Sequence, residues 1–170
     1  IAAALAEGKV TVSNCTFENN STFNTSGAVQ NGGRTMDVIS CTFKNNIAGS
    51  WGGAFHANGE GAVTKLSKCK FIENHSGKQG GAVSIQVADC TFDECEFTGN
   101  RADRAVEGEN GKSSSKAGGA IFLYGEGSKC TLNACTFTGN MAPNGCAGAI
   151  LCQENAELTI NAGTTFTGNS

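Results

Sequence analysis

One short phrase constrains this chain more than any other feature: Phe-x-x-Asn recurs at Phe17/Asn20, Phe43/Asn46, Phe71/Asn74, Phe97/Asn100, Phe137/Asn140 and Phe166/Asn169. Successive Phe positions lie 26, 28, 26, 40 and 29 residues apart. A second phrase, Gly-Ala-apolar, runs out of phase with it at Gly27-Ala-Val29, Gly53-Ala-Phe55, Gly81-Ala-Val83, Gly119-Ala-Ile121 and Gly148-Ala-Ile150. Self-similarity at a fixed period of 20–50 residues marks a stack of repeats rather than a single folded core.

Within each repeat the polarity alternates over three to five residues. Val83, Ile85 and Val87 alternate with Ser84 and Gln86, Val10 and Val12 flank Thr11, and each Cys-x-Phe puts Cys and Phe on one face. A period of two means strands. No window of ten residues carries a helical apolar stripe. Three short strands per coil of about 28 residues predict an all-β, right-handed parallel β-helix of about six coils, the hand following from the usual crossover rule. A β-sandwich would instead need turn signals every 8–12 residues.

Stacking turns each repeated residue into a column. Phe17, Phe43, Phe71, Phe97, Phe137 and Phe166 are the expected core, with Cys15, Cys41, Cys69, Cys95 and Cys135 packed beside them as small apolar groups. Asn20, Asn46, Asn74, Asn100, Asn140 and Asn169 are the expected corner ladder. Their amides would bond to the coils above and below, and their backbone would take the left-handed turn. The double glycine marks a second corner, where a Cβ would obstruct the bend.

The combination of Phe-x-x-Asn with Gly-Gly-Ala-(Ile/Leu/Val) resembles the repeat of the chlamydial polymorphic outer membrane proteins. Gly52-Gly-Ala-Phe55, Gly80-Gly-Ala-Val83 and Gly118-Gly-Ala-Ile121 match or nearly match the tetrapeptide, while Ser26 and Ala147 replace its first glycine. The resemblance implies a surface-exposed passenger acting in adhesion, with a signal and a membrane-anchoring barrel elsewhere in the parent chain.

Composition fits an extracellular setting. Nine cysteines in 170 residues suit a secreted or surface protein, and an odd number leaves at least one thiol free. The net charge of −3 gives no reason to expect nucleic acid. No apolar run approaches the ~18 residues of a membrane span. Ile1–Leu5 occupies the place of a further Gly-Ala copy and Thr165–Ser170 stops inside the motif. Residues 1–170 are therefore expected to be one β-helix segment of a longer repeat protein.

Chemistry is harder to find. The column Gln30, His56, Ser84, Phe122 and Leu151 is expected to face outward and lacks the paired carboxylates of a glycoside hydrolase. Asp89, Asp93, Glu94 and Glu96 form an acidic cluster best read as a solvated edge. Cys90, Cys95, Cys130 and Cys135 bring four sulfurs together, but packed thiols or a disulfide suit their spacing better than zinc. Cys146 and Cys152 could bridge only if the strand entry folds back. His56 and His75 are expected at the surface. Asn to the last Gly of the motif takes seven or eight residues in four repeats but nineteen between Asn100 and Gly119, so residues 101–117 are expected to loop out. Their charged members Arg101, Arg104, Lys112 and Lys116 are candidate binding residues.

The sequence therefore predicts a non-enzymatic, adhesin-like scaffold at a cell surface, or outer-membrane-associated if bacterial. No catalytic or metal residue and no cofactor is assigned, and its partner would be a protein or glycan at a cell surface. A structural rod built on neighbouring segments of its own assembly is the alternative, and a polysaccharide-active enzyme comes third.

Overall fold

The computed structural model describes residues 2–4, 8–103, 117–143 and 145–170, with residues 2–4 described by their backbone alone. Every strand pairing is parallel and joins equivalent positions of successive repeats. Among the described residues there is no helix. The chain is thus a β-solenoid, and six strands of the phenylalanine column, five of them Cys-x-Phe, enclose about five turns.

Four kinds of strand recur. Post-glycine strands are β1 (Ala2–Ala4), β5 (Val29–Gly32), β15 (Ile121–Tyr124) and β18 (Ile150–Gln153). Pre-cysteine strands are β2 (Lys9–Ser13), β6 (Thr35–Ile39), β16 (Lys129–Asn133) and β19 (Glu157–Ile160). In the third and fourth coils these two kinds fuse into β9 (Phe55–Ser67) and β12 (Val83–Asp93), so that together they build a ten-stranded sheet. The Cys-x-Phe strands β3 (Thr16–Glu18), β7 (Thr42–Lys44), β10 (Lys70–Ile72), β13 (Glu96–Thr98) and β17 (Thr136–Thr138), with β20 (Thr165–Thr167) where Thr164 replaces the cysteine, form a second sheet. A third sheet, absent from the sequence reading, holds the two-residue strands β4 (Ser21–Thr22), β8 (Ile47–Ala48), β11 (His75–Ser76) and β14 (Arg101–Ala102).

The phenylalanine column forms as expected. Ring centroids from Phe17 through Phe166 follow one another at 4.6–4.9 Å with interplanar angles of 2–12°. That spacing is the strand separation itself, so backbone pairing sets the ring stacking. Phe43, Phe71, Phe97 and Phe137 are fully buried, whereas Phe17 and Phe166 lie at the outer coils and are partly exposed.

The asparagine ladder is continuous. Asn74 Nδ2 donates to Phe43 O and to Asn100 Oδ1, both at 3.0 Å, and Asn74 Oδ1 accepts from the N–H and Nδ2 of Asn46. The same bonds repeat at Asn46, Asn100 and Asn140. The expected left-handed backbone, however, is not at these asparagines. It falls one residue earlier, at Asn19, Asn45, Glu73, Gly99, Gly139 and Gly168, and again just before each cysteine, at Asn14, Ser40, Lys68, Glu94 and Ala134. The ladder asparagine supplies the bonds, and its predecessor makes the bend.

The second glycine of each pair is required by the neighbouring coil. A Cβ on Gly27, Gly53, Gly81 or Gly119 would lie 2.0–2.1 Å from the carbonyl oxygen of the equivalent glycine one coil on. The first position is less strict. Ser26 occupies it with φ 59° and its hydroxyl donates to Val29 O.

Two expectations about exposure are overturned. His56, Ser84 and Phe122 are at most 1% exposed, and Gln30 and Leu151 are half-buried, so the supposed outward column is covered. Trp51, on the segment that follows β8, lies over it, its ring centroid 6.1 Å from that of His56. Cys15, expected inside, is exposed at the first coil.

Candidate binding surfaces

The repeat's signature residues face inward, so whatever this chain recognises must meet the residues between them. On the Cys-x-Phe sheet the outward positions of the early coils mix charges with Thr16, Thr42 and Ile72, with Lys44 Nζ 3.3 Å from Glu18 and Lys70 Nζ 3.2 Å from Glu96. In the later coils they become threonine: Thr98, Thr138 and Thr167 in one column, Thr136 and Thr165 in the other. Around the third sheet, Phe23 is 98% exposed and Ile47 and Met141 are partly so. Between them His75 Nε2 lies 2.8 Å from Asp103 Oδ2, and Arg101 Nε donates to the other oxygen of that carboxylate.

A notch interrupts the corner between post-glycine and pre-cysteine strands. Gly59-Glu60-Gly61 arches out in the third coil and Gly125-Glu126-Gly127 in the fifth, all four glycines having positive φ. The intervening coil turns more tightly there, at Val87 with φ 51°, leaving a cavity of about 400 Å³. Its walls carry Glu60, Asp89, Glu126 and Lys129 over a floor of Ala62, Val87 and Ala88. The sequence reading missed this notch, although the repeated Gly-Glu-Gly was visible.

Of the predicted loop 101–117, the described part belongs to the stack. Arg101–Ala102 pair with β11, and Asp103 N–H donates to Ser76 O at 2.9 Å. Ala117 is buried. The equivalents of Asp103 and Ala117 in the coil before are Gly77 and Gln79, so residues 104–116 stand where Lys78 alone suffices. Arg104, Lys112 and Lys116 lie outside the described residues.

The acidic cluster is dispersed on the molecule. Glu96 pairs with Lys70, Asp93 Oδ1 accepts from Asn133 Nδ2 at 2.5 Å, and Asp89 lies in the notch. Among the described residues no group of three His, Cys, Asp or Glu side chains could hold a metal ion.

No disulfide joins any pair of cysteines among the described residues, and Cys146 and Cys152 form no bridge. The ladder cysteines do more than fill space: Cys69 Sγ donates to Val38 O, Cys95 to Leu66 O and Cys135 to Phe92 O, each at 3.4 Å in the coil before. Burial pushes Cys90 up to about 12 and raises Cys41 and Cys130 as well. Since the thiolate is the nucleophile, these groups should be inert to alkylation in the folded protein. Native labelling with iodoacetamide read by mass spectrometry should modify Cys15 and Cys146 first and Cys152 more slowly. Cys41, Cys90, Cys95 and Cys130 should react only after unfolding, and so should Cys69 and Cys135, which are enclosed although the hydrogen bond to Cys95 lowers their pKa. Rapid labelling of all nine would contradict the buried columns.

Compared with known proteins, two stretches, residues 40–58 and 94–124, match the Chlamydia polymorphic membrane protein (Chlamydia_PMP) repeat. Each stretch spans one passage from Cys-x-Phe-x-x-Asn to Gly-Gly-Ala, so the repeat recognised by its motifs is present. No curated protein and no solved structure matches the chain.

Proposed function

We propose that this segment is a non-enzymatic, adhesin-like scaffold displayed at a cell surface or outer membrane, binding a protein or glycan there. The observation that carries the reading is the division of labour within the repeat. Phe, Asn and the second Gly are consumed in stacking, which leaves the outer positions and the insertion free to vary on a rigid frame. Loops on rigid scaffolds commonly hold recognition. The kinship of the repeat to a membrane-protein family supports the location. Among the described residues no helix is long and apolar enough to cross a membrane.

The insertion between Asp103 and Ala117 is where contact with the partner is placed. Replacing residues 104–116 by a single lysine, as at Lys78, should leave the thermal melt unchanged, because the flanking residues already pair with their neighbours. The same change should abolish retention of the protein on cultured cell surfaces and on a glycan array. Retained binding with an intact fold would move recognition to the outer faces of the coils. No retention by the unaltered chain on either support would sink the adhesin reading.

A further inference from the structure

Behind the double-glycine corner the fold has a narrow second compartment. One wall is the column Gln30, His56, Ser84 and Phe122, with His56 in register between Gln30 of β5 and Ser84 of β12. The other wall is the segment that carries Trp51, which leads from the third sheet into the double glycine. The Trp51 ring centroid lies 6.1 Å from that of His56, tilted by 54°. The imidazole is buried, with the residue 1% exposed, and neither ring nitrogen makes a hydrogen bond of good geometry, although the Gln86 side chain is near enough to favour the charged ring. The hydroxyls of Ser76 and Ser84 are likewise buried and unbonded.

We propose that this compartment is an acid-operated latch, in which protonation of His56 opens the seam between the Trp51 segment and strand β9. An imidazolium needs acceptors for two N–H groups and a counter-charge or water. The elements packed here offer no counter-charge, and their acceptors are neutral amide and hydroxyl oxygens. From β5 comes Gln30, from β12 come Ser84 and Gln86, and from the third sheet and the segment after it come Ser76 and Trp51, none of them ionised. Strand alternation turns His75 and Arg101 outward, where they share Asp103, and Lys78 is exposed. Water reaches the new charge when the wall that carries Trp51 moves, releasing the bonds from Ser26 N–H to Trp51 O and from Gly52 N–H to Gln79 O. That wall turns through Gly49, Gly52 and Gly53, and Gly52 has φ 61°.

Burial, partly offset by the Gln86 side chain, pushes the His56 pKa from 6.5 down to about 4. The closed form therefore refuses a proton that the open form accepts. Opening is unaided above pH 6.5 and gains tenfold per pH unit below it, levelling off near pH 4 at roughly 300-fold.

Trp51 is the one tryptophan of the chain and reports the wall directly. Its emission maximum and acrylamide quenching should be followed from pH 7.5 to 3.5 alongside far-UV circular dichroism. The expected result is a red shift and easier quenching with a midpoint between 6.5 and 4, while the β signal holds. His56→Phe should remove the transition, and Phe122 at the equivalent place two coils on shows that the column accepts the ring. His75→Gln should leave it intact. Should His56→Phe fail to fold, NMR titration of the His56 ring in the unaltered chain decides instead. The expected ring titration is depressed and tracks Trp51, while a value near 6.5 with Trp51 unmoved overturns the latch. A Trp51 change that coincides with loss of the β signal, or one that persists in His56→Phe, overturns it equally.

Discussion

Phe71→Ala should cost about 3–5 kcal/mol, more than any other truncation in the Phe column except Phe43 or Phe97. Phe71 is fully buried, with stacked rings 4.8 Å away on both sides and the edge of Phe92 at 6.4 Å. Removing the ring takes away the transfer free energy and leaves a void. The void cannot close, because β7, β10 and β13 are held at fixed separation by their own backbone bonds. For a chain of this size each kcal/mol lowers Tm by roughly 2–4 °C, so the melt should shift by roughly 6–20 °C. Phe166→Ala is the control. Phe166 is 44% exposed and stacked on one side only, so its loss should be felt far less. Equal melting of the two variants would mean that the column does not carry the stack.

The Phe and Asn columns were legible because each residue recurs in every coil and does one job there. Other features escaped for definite reasons. Strands β4, β8, β11 and β14 are two residues long and read Ser-Thr, Ile-Ala, His-Ser and Arg-Ala. Nothing in that series marks a shared conformation, since the neighbouring coils impose it. The left-handed residue before each cysteine is hidden in the same way, for Lys68, Glu94 and Ala134 have no intrinsic liking for positive φ. Alternation told which residues of β9 share a face with Phe55, but it could not tell that the other face is covered. Alternation alone therefore points His56 to solvent, whereas the fold encloses it. The notch needed register as well as motif. Two Gly-Glu-Gly arches make a cavity only because the coil between them turns at Val87 without an arch of its own. Function was the least legible, because the repeated residues that announce the fold are the ones withdrawn from the surface.

Gly81→Ala should be at least as damaging as loss of the Phe71 ring, although it adds a single methyl group. Gly81 has no positive φ, so backbone conformation does not explain its presence. A Cβ there would sit 2.0 Å from Gly119 O and 2.5 Å from Arg101 N, both backbone atoms of the next coil. No side chain can rotate away to relieve the contact. The next coil must separate at the corner where the returning strand meets the ten-stranded sheet, breaking the bond from Ala82 N–H to Ala120 O at 2.9 Å. Overpacking with backbone displacement belongs to the exceptional class of substitutions, and a cost of about 4 kcal/mol or more is expected. Gly61→Ala separates this steric origin from conformational strain. Gly61 has φ 77° but nothing within 4 Å of its Cβ position, so an alanine there bears only the left-handed penalty of about 1–2 kcal/mol. Chemical denaturation of the two variants side by side measures the difference. If Gly81→Ala costs no more than Gly61→Ala, the second glycine of the motif is not there for coil-to-coil approach, and the reason for the Gly-Gly-Ala phrase must be sought outside the stack.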